Sequence, residues 1–213
     1  MKKTYDKIPE SMSKMQTYGF HWMEFVTSIP SPMFLVTSYK SNGKPNACME
    51  SWSTFCGDTD GFYAIITNVY KAGHMYQSLC ETGECVLNFP SIDVYYAFMA
   101  TIRNNGFDDD ELALSGLTAE PAKTVNAPSV KECFMNLECR LLWDKEIKDG
   151  SNLVMRCLEV VSVSIDEEHL DEDKAGRYGK TGFLYNVHRP INPENYSDTA
   201  HSCVAVLEKL RDE

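Results

Sequence analysis

Between Ser31 and Thr67 the chain reads SPMFLVTSYKSNGKPNACMESWSTFCGDTDGFYAIIT. Three runs rich in β-branched and aromatic residues stand out: Phe34–Ser38, Asn46–Phe55 and Phe62–Thr67. Residues of this kind fit a pleated, half-buried surface. The first two runs are separated by Asn42-Gly43, the dipeptide favoured in a type I′ hairpin turn, where both central residues need positive φ. The next two are separated by Asp58-Thr-Asp-Gly61. Neither connection has the dozen or more residues that a parallel crossover needs. The three runs therefore predict an antiparallel meander and not a βαβ unit.

Working outward, Cys85–Phe89 is strand-like and stopped by Pro90. Glu132–Ile147 and Leu153–Ile165 are two long strands joined by Asp149-Gly150. Residues 72–81 predict a helix: Met75 with Leu79, and Tyr76 with Cys80, fall at i, i+4 spacing, and Gly83 supplies the stop. Residues 91–102 predict a second, with Ser91 as N-cap and Asp93 in the first turn. Residues 17–28 mix aromatics at helical spacing and read as a short helix or an entry loop. The stretch 103–130 is irregular. Six or so strands with few helices predict a mainly β fold, a small closed antiparallel barrel. The chain reads as one domain over 1–213, with a core over about 25–165. Residues 1–16 are polar and loose, and the extension 166–213 wraps the surface or a partner.

Bulk properties narrow the function. The 213 residues are 43% hydrophobic and 24% charged, with a net charge of −11. That excess of acid disfavours a nucleic-acid or anionic-membrane surface, since both reward Lys and Arg. The acidic runs Asp108–Glu111, Asp166–Glu168 and Asp171–Asp173 read as solvated loops and not as a metal site. Eight cysteines form no C-x-x-C pair, and the five histidines show no ligand spacing, so no metal is expected. No apolar stretch approaches the ~18 residues of a membrane span, and the first residues lack an apolar leader core. These features predict a cytoplasmic, reduced protein, in which the Asn195-Tyr-Ser197 sequon is chance. Gly176–Thr181 superficially resembles a phosphate loop, but Lys174 stands where the first glycine belongs. No G-x-G-x-x-G or G-x-S-x-G occurs.

Two stretches carry chemistry. Asn46-Ala-Cys-Met-Glu-Ser-Trp-Ser-Thr-Phe55 puts hydroxyls and an amide around a Trp in a central strand. It is either a strand running into a polar loop or a wall meeting a flat, polar-edged ligand. Thr67–Glu84, TNVYKAGHMYQSLCETGE, places Lys71, Gly73 and His74 where a strand gives way to a helix. Unpaired N–H groups and the positive dipole end there suit a phosphate, and glycine permits close approach. The plain alternative is a surface lysine beside an ordinary connection.

The order of these features, SPMFLVTSYKSNGKPNACMESWST, a strand, a turn-helix ending in ETGECVLNFPS, and then DDDELALSGLTAEPAKTVNAPSVKECFMNLECRLLWDK, resembles the flavin reductase-like family with the FMN-binding split barrel, of the flavoredoxin kind. The match covers roughly residues 25–165. It implies a six-stranded antiparallel split barrel, a homodimer and FMN held non-covalently near the dimer interface. It also implies NAD(P)H as electron donor, or electron relay to a partner protein. By the same resemblance, Asn46, Met49, Glu50, Ser51, Trp52, Ser53 and Thr54 border the isoalloxazine and ribityl chain. Asn68, Lys71, Gly73, His74 and Met75 surround the phosphate, Asn88 is structural, and His188 borders the site across the dimer. Catalytic residues are not assigned. The chain departs from the family by having Lys-Ala-Gly-His at the helix start and Gly57–Gly61 before the third strand. The alternative function is a flavin- or haem-binding module without turnover.

Overall fold

A computed structural model describes residues 1–12, 21–170, 175–190 and 202–208. Residues 17–20 of the expected first helix, the acidic run 171–173, the Asn195 sequon and His201 lie outside that set. In chain order the elements are α1 (Trp22–Thr27), β1 (Ser31–Pro32), β2 (Phe34–Tyr39), β3 (Pro45–Glu50), β4 (Ser53–Gly57) and β5 (Phe62–Tyr70). Then follow α2 (His74–Thr82), β6 (Glu84–Phe89), α3 (Tyr95–Thr101), α4 (Glu111–Leu114), β7 (Ala119–Pro121) and β8 (Pro128–Val130). The long strands β9 (Met135–Glu146) and β10 (Leu153–Ile165) come next, followed by β11 (Leu184–Pro190) and β12 (Ser202–Val206).

The main sheet is seven-stranded in the order β3-β2-β6-β9-β10-β5-β4, with every pairing antiparallel. Its two edges, β3 and β4, are consecutive in the chain and joined by Ser51 and Trp52. The expected single strand Asn46–Phe55 is therefore broken into two. Counted as one bent segment, β3 and β4 give the six-stranded split barrel that the sequence predicts. The break has visible causes. The Asn186 amide donates to Ser51 Oγ at 3.0 Å, Trp52 Nε1 donates to Glu24 Oε1 at 3.1 Å, and the Trp52 carbonyl accepts from Thr67 N at 2.8 Å.

The first hairpin also differs in detail. Gly43 has φ of 78° but Asn42 does not have a positive φ, so this is a three-residue loop closing on a left-handed glycine rather than type I′. β5 runs three residues beyond the expected Thr67. Opposite it, Val154 pairs with Val69 and Arg156 with Ile66, so Thr67 and Asn68 face Met155 alone. Asn68 sits in this bulge at φ 64°, a conformation that Asn tolerates better than most residues.

The core gathers Phe34, Val36, Ile66, Leu87, Leu137 and Leu158 from five strands, and α2 adds Met75 and Leu79 to it. Asn88, fully buried, crosslinks the interior: its amide donates to the Leu35 carbonyl at 3.0 Å and to Thr37 Oγ1 at 2.9 Å, and its oxygen accepts from Val130 N at 2.8 Å. This bears out its structural reading. The expected helix over 91–102 starts late: Ile92–Val94 form a 3₁₀ turn without a side-chain cap at Ser91, and α3 begins at Tyr95. The extension contributes a second sheet of order β1-β11-β12, with Leu184 fully buried.

A buried ion pair braces the open side of β3. Lys40 Nζ lies 2.9 Å from Glu111 Oε1, with each side chain 1% exposed. The ammonium also donates to the carbonyls of Gly106 and Asp109, while Glu111 Oε2 accepts from Ala47 N at 2.8 Å. Every strong group of the pair thus has a partner, the condition under which buried charge is tolerated. Glu111→Leu strands a buried ammonium and is expected to cost roughly 3–5 kcal/mol in urea denaturation. Adding Lys40→Met should recover most of that loss, leaving the unpaired Ala47 N–H, worth about 1–3 kcal/mol.

Candidate functional site

The bend between β3 and β4 separates the predicted site residues into two hollows. Before the bend, Asn46 and Glu50 line a cavity of about 180 Å³ together with Asn68, Gly73, His74 and Met75. After it, Trp52, Ser53 and Thr54 line a hollow of about 350 Å³ with Glu24, Thr27, Ser31, Thr67 and His188. Met49 belongs to neither; it packs against the apolar clusters around Leu35 and Met33. Ser51 is buried at the bend itself.

The smaller hollow lies at the N-terminus of α2. Gly73 caps α2 without a side-chain hydrogen bond, and the first turn carries no acidic residue. The opening N–H groups of the helix and its positive dipole end are therefore left to the cavity. A Cβ on Gly73 would stand 3.2 Å from the Tyr70 carbonyl, so glycine is what lets the turn close. Asn46 lines this space and is buried, and its Nδ2 is an unpaired donor among the described residues. The Asn68 bulge brings a second amide to the wall.

Glu50 looks out of place in such a cavity until its environment is considered. It is 7% exposed, and its carboxyl meets only the Cys48 thiol, at 3.6 Å, and the Ser51 backbone N–H among the described residues, too little to offset its burial. Burial pushes its pKa up to about 8. At neutral pH the carboxyl is therefore protonated, and it does not repel an anion.

Lys71 lies outside both hollows. Its Nζ sits 2.5 Å from Glu146 Oε1 on β9, and that bond holds the lysine's pKa up. His74 does line the cavity, with Nδ1 3.5 Å from Glu111 Oε1. The local pattern placed a charge at the helix start; the chain folds that charge toward a carboxylate 75 positions away.

The larger hollow is walled by aromatic and hydroxyl groups. The His188 ring lies 4.9 Å from that of Trp52 and Nε2 is 2.6 Å from Ser31 Oγ. His188 sits at φ 52°, held by its own N–H donating to Asn186 Oδ1 at 2.8 Å. It reaches this hollow from β11 of the same chain. Burial lowers its pKa, so the imidazole is neutral at pH 7. Glu24 and Thr67 are site residues that the sequence reading missed. Glu24 was legible only as a helix-cap partner of His21, which it also is, at 3.0 Å. A third hollow, about 530 Å³ and lined by Phe55, Phe62, Phe89 and Phe183, contains none of the predicted residues.

With this geometry established, comparison with known proteins is informative. The flavin reductase-like domain matches residues 26–185, three quarters of the chain. The chain belongs to the flavin reductase-like family. Its fold superimposes on flavoredoxin of Desulfovibrio vulgaris (Miyazaki F) with a TM-score of 0.70 at 23% identity, covering 86% of this chain and 90% of that one. Nitrilotriacetate monooxygenase component B from Bacillus cereus gives 0.75 at 17% identity, covering 100% of both. A protein of Archaeoglobus fulgidus is 32% identical over 117 residues, which is 55% of this chain and 65% of that protein. The chain spans between about half and two thirds of the length of the curated relatives it matches. Among the described residues no helix is long and apolar enough to cross a membrane.

The Glu50 environment makes a prediction about this family member's stability. An unfolded glutamate gives up its proton near 4.5, whereas the folded one holds it to about 8. The folded state binds the extra proton, so stability falls as pH rises through that window and levels off above it. Glu50→Gln keeps the shape without the proton. Its unfolding free energy from urea denaturation should gain on the wild type between pH 5 and pH 8.5, by at least about 1.4 kcal/mol, the worth of one pH unit.

Proposed function

We propose that this protein binds FMN and works as an oxidoreductase that takes electrons from NAD(P)H, passing them to free flavin or to a partner protein. The observation that carries the reading is the α2 N-terminus: unpaired helix N–H groups, the spare Asn46 amide and an uncharged Glu50 converge on one small cavity. Such a donor set suits a phosphate monoester. The residues present fit FMN on that ground, and membership of the flavin reductase-like family agrees with it.

In this reading His74 and Met75 present main-chain N–H groups to the phosphate, Gly73 N–H being held by the Tyr70 carbonyl, with Asn46 and Asn68 bonding it from the strands. Ser51, Trp52, Ser53 and Thr54 lie along the flavin ring, where hydroxyls and main-chain N–H groups meet its polar edge. Trp52 and the neutral His188 wall the space for the donor and keep water from it. The bound flavin would supply the two-electron chemistry. The chain needs no nucleophile of its own; its work is to orient the ring, hold negative charge at the ring edge and exclude solvent. The working unit is a homodimer, and Lys71 contributes little, being already engaged by Glu146.

Absorbance spectroscopy and flavin titration test this. The purified protein should be yellow, or take up added FMN, and NAD(P)H should bleach the flavin bands. Asn46→Asp puts a charge beside the phosphate and should weaken FMN at least tenfold, about 1.4 kcal/mol, while riboflavin, which lacks the phosphate, binds unchanged. Lys71→Ala should shift FMN affinity less than twofold. A protein that takes up no flavin defeats the proposal. One that binds flavin but never oxidises NAD(P)H is a binding module instead.

A further inference from the structure

Arg156 on β10 poses an electrostatic problem. It is 0% exposed, and a guanidinium does not give up its proton in a protein. Its charge has one carboxylate near it, Asp144 Oδ2 at 3.3 Å from Nη2. The Tyr76 ring covers its face at 4.2 Å. Nε and Nη1 have no hydrogen-bond partner among the described residues. A buried cation with two idle donors is costly unless another negative group shares it.

The remaining neighbour is a thiol. Cys80 Sγ lies 2.9 Å from Arg156 Nη2, and Cys80 is exposed to solvent. It follows Tyr76 by one helical turn on α2, so the phenol and the thiol face the guanidinium together. The other cysteines differ. Cys85, Cys133, Cys139 and Cys157 are buried, and burial pushes the Cys133 thiol well up. Cys56 on β4 is exposed, yet no basic side chain bonds it among the described residues.

We infer that Cys80 is a redox-modification site, a thiol that hydroperoxides oxidise to a sulfenic acid, with Arg156 as the residue that positions and favours the reaction. Sγ attacks one oxygen of the peroxide: an S–O bond forms, the O–O bond breaks and sulfur gives up two electrons. The departing hydroxide takes the thiol proton and leaves as water. Negative charge on the reacting sulfur and on the oxygen it gains is met by the guanidinium, whose Nη2 lies 2.9 Å from that sulfur. The inference does not depend on flavin binding.

The test uses the full chain treated with one equivalent of hydrogen peroxide in the presence of a sulfenic-acid trapping dione, followed by peptide mass spectrometry. The Cys80 peptide should label at least tenfold faster than the Cys56 peptide, and Arg156→Met should bring the two rates together. Asp144→Asn removes the competing charge but keeps a polar group against Arg156, and it should speed Cys80 labelling in protein whose urea unfolding curve shows it folded. Equal labelling of Cys80 and Cys56, an undiminished rate in Arg156→Met, or no acceleration in Asp144→Asn would each overturn the inference.

Discussion

The sheet closes through the covalent chain. Its first and last strands, β3 and β4, are two halves of one segment, so the seven strands must curl until those edges stand two residues apart. Ser51 and Trp52 occupy that gap, and long-range bonds fix both: Ser51 to Asn186 of the extension, Trp52 to Glu24 of α1. The hinge is therefore held from both ends of the chain. The second sheet, β1-β11-β12, is the scaffold that carries Asn186 and His188 to it.

The position of the site follows from that closure. Residues leading into the hinge line the hollow at the start of α2, the proposed phosphate site; residues leaving it line the hollow beside Trp52 and His188, the proposed ring site. A single strand through Asn46–Phe55 would have presented these groups in simple alternation. The break lets two adjacent pieces of chain serve chemically different spaces.

Much of this was legible locally. Two-residue alternation and turn residues identify β10 over Leu153–Ile165 with no error at either end, and the i, i+4 apolar pairs with Gly83 locate α2. Asn46 and Glu50 were expected by resemblance at the flavin ring, and Asn68 and the α2 start at the phosphate; the fold instead brings all of them to one cavity. What escaped was set by distant partners. Lys71 finds Glu146, Glu24 finds Trp52, and Arg156, which reads as an ordinary polar residue within a strand, is wholly buried. The protonated state of Glu50 was equally hidden, because desolvation belongs to the assembled interior and not to the strand.

The bent segment also dictates an order of assembly. The hairpins β2–β3 and β4–β5 pair locally and can form early, but β2 and β5 gain their other neighbours, β6 and β10, from chain made later. Until β6 covers β2 and β10 covers β5, those inner edges are bare and open to pairing with other chains. Such distant pairings make folding slow compared with a helical bundle of equal size. In the finished sheet β3 and β4 remain the outer strands, but the inner edges of β2 and β5 are paired, so that exposure belongs to the nascent chain.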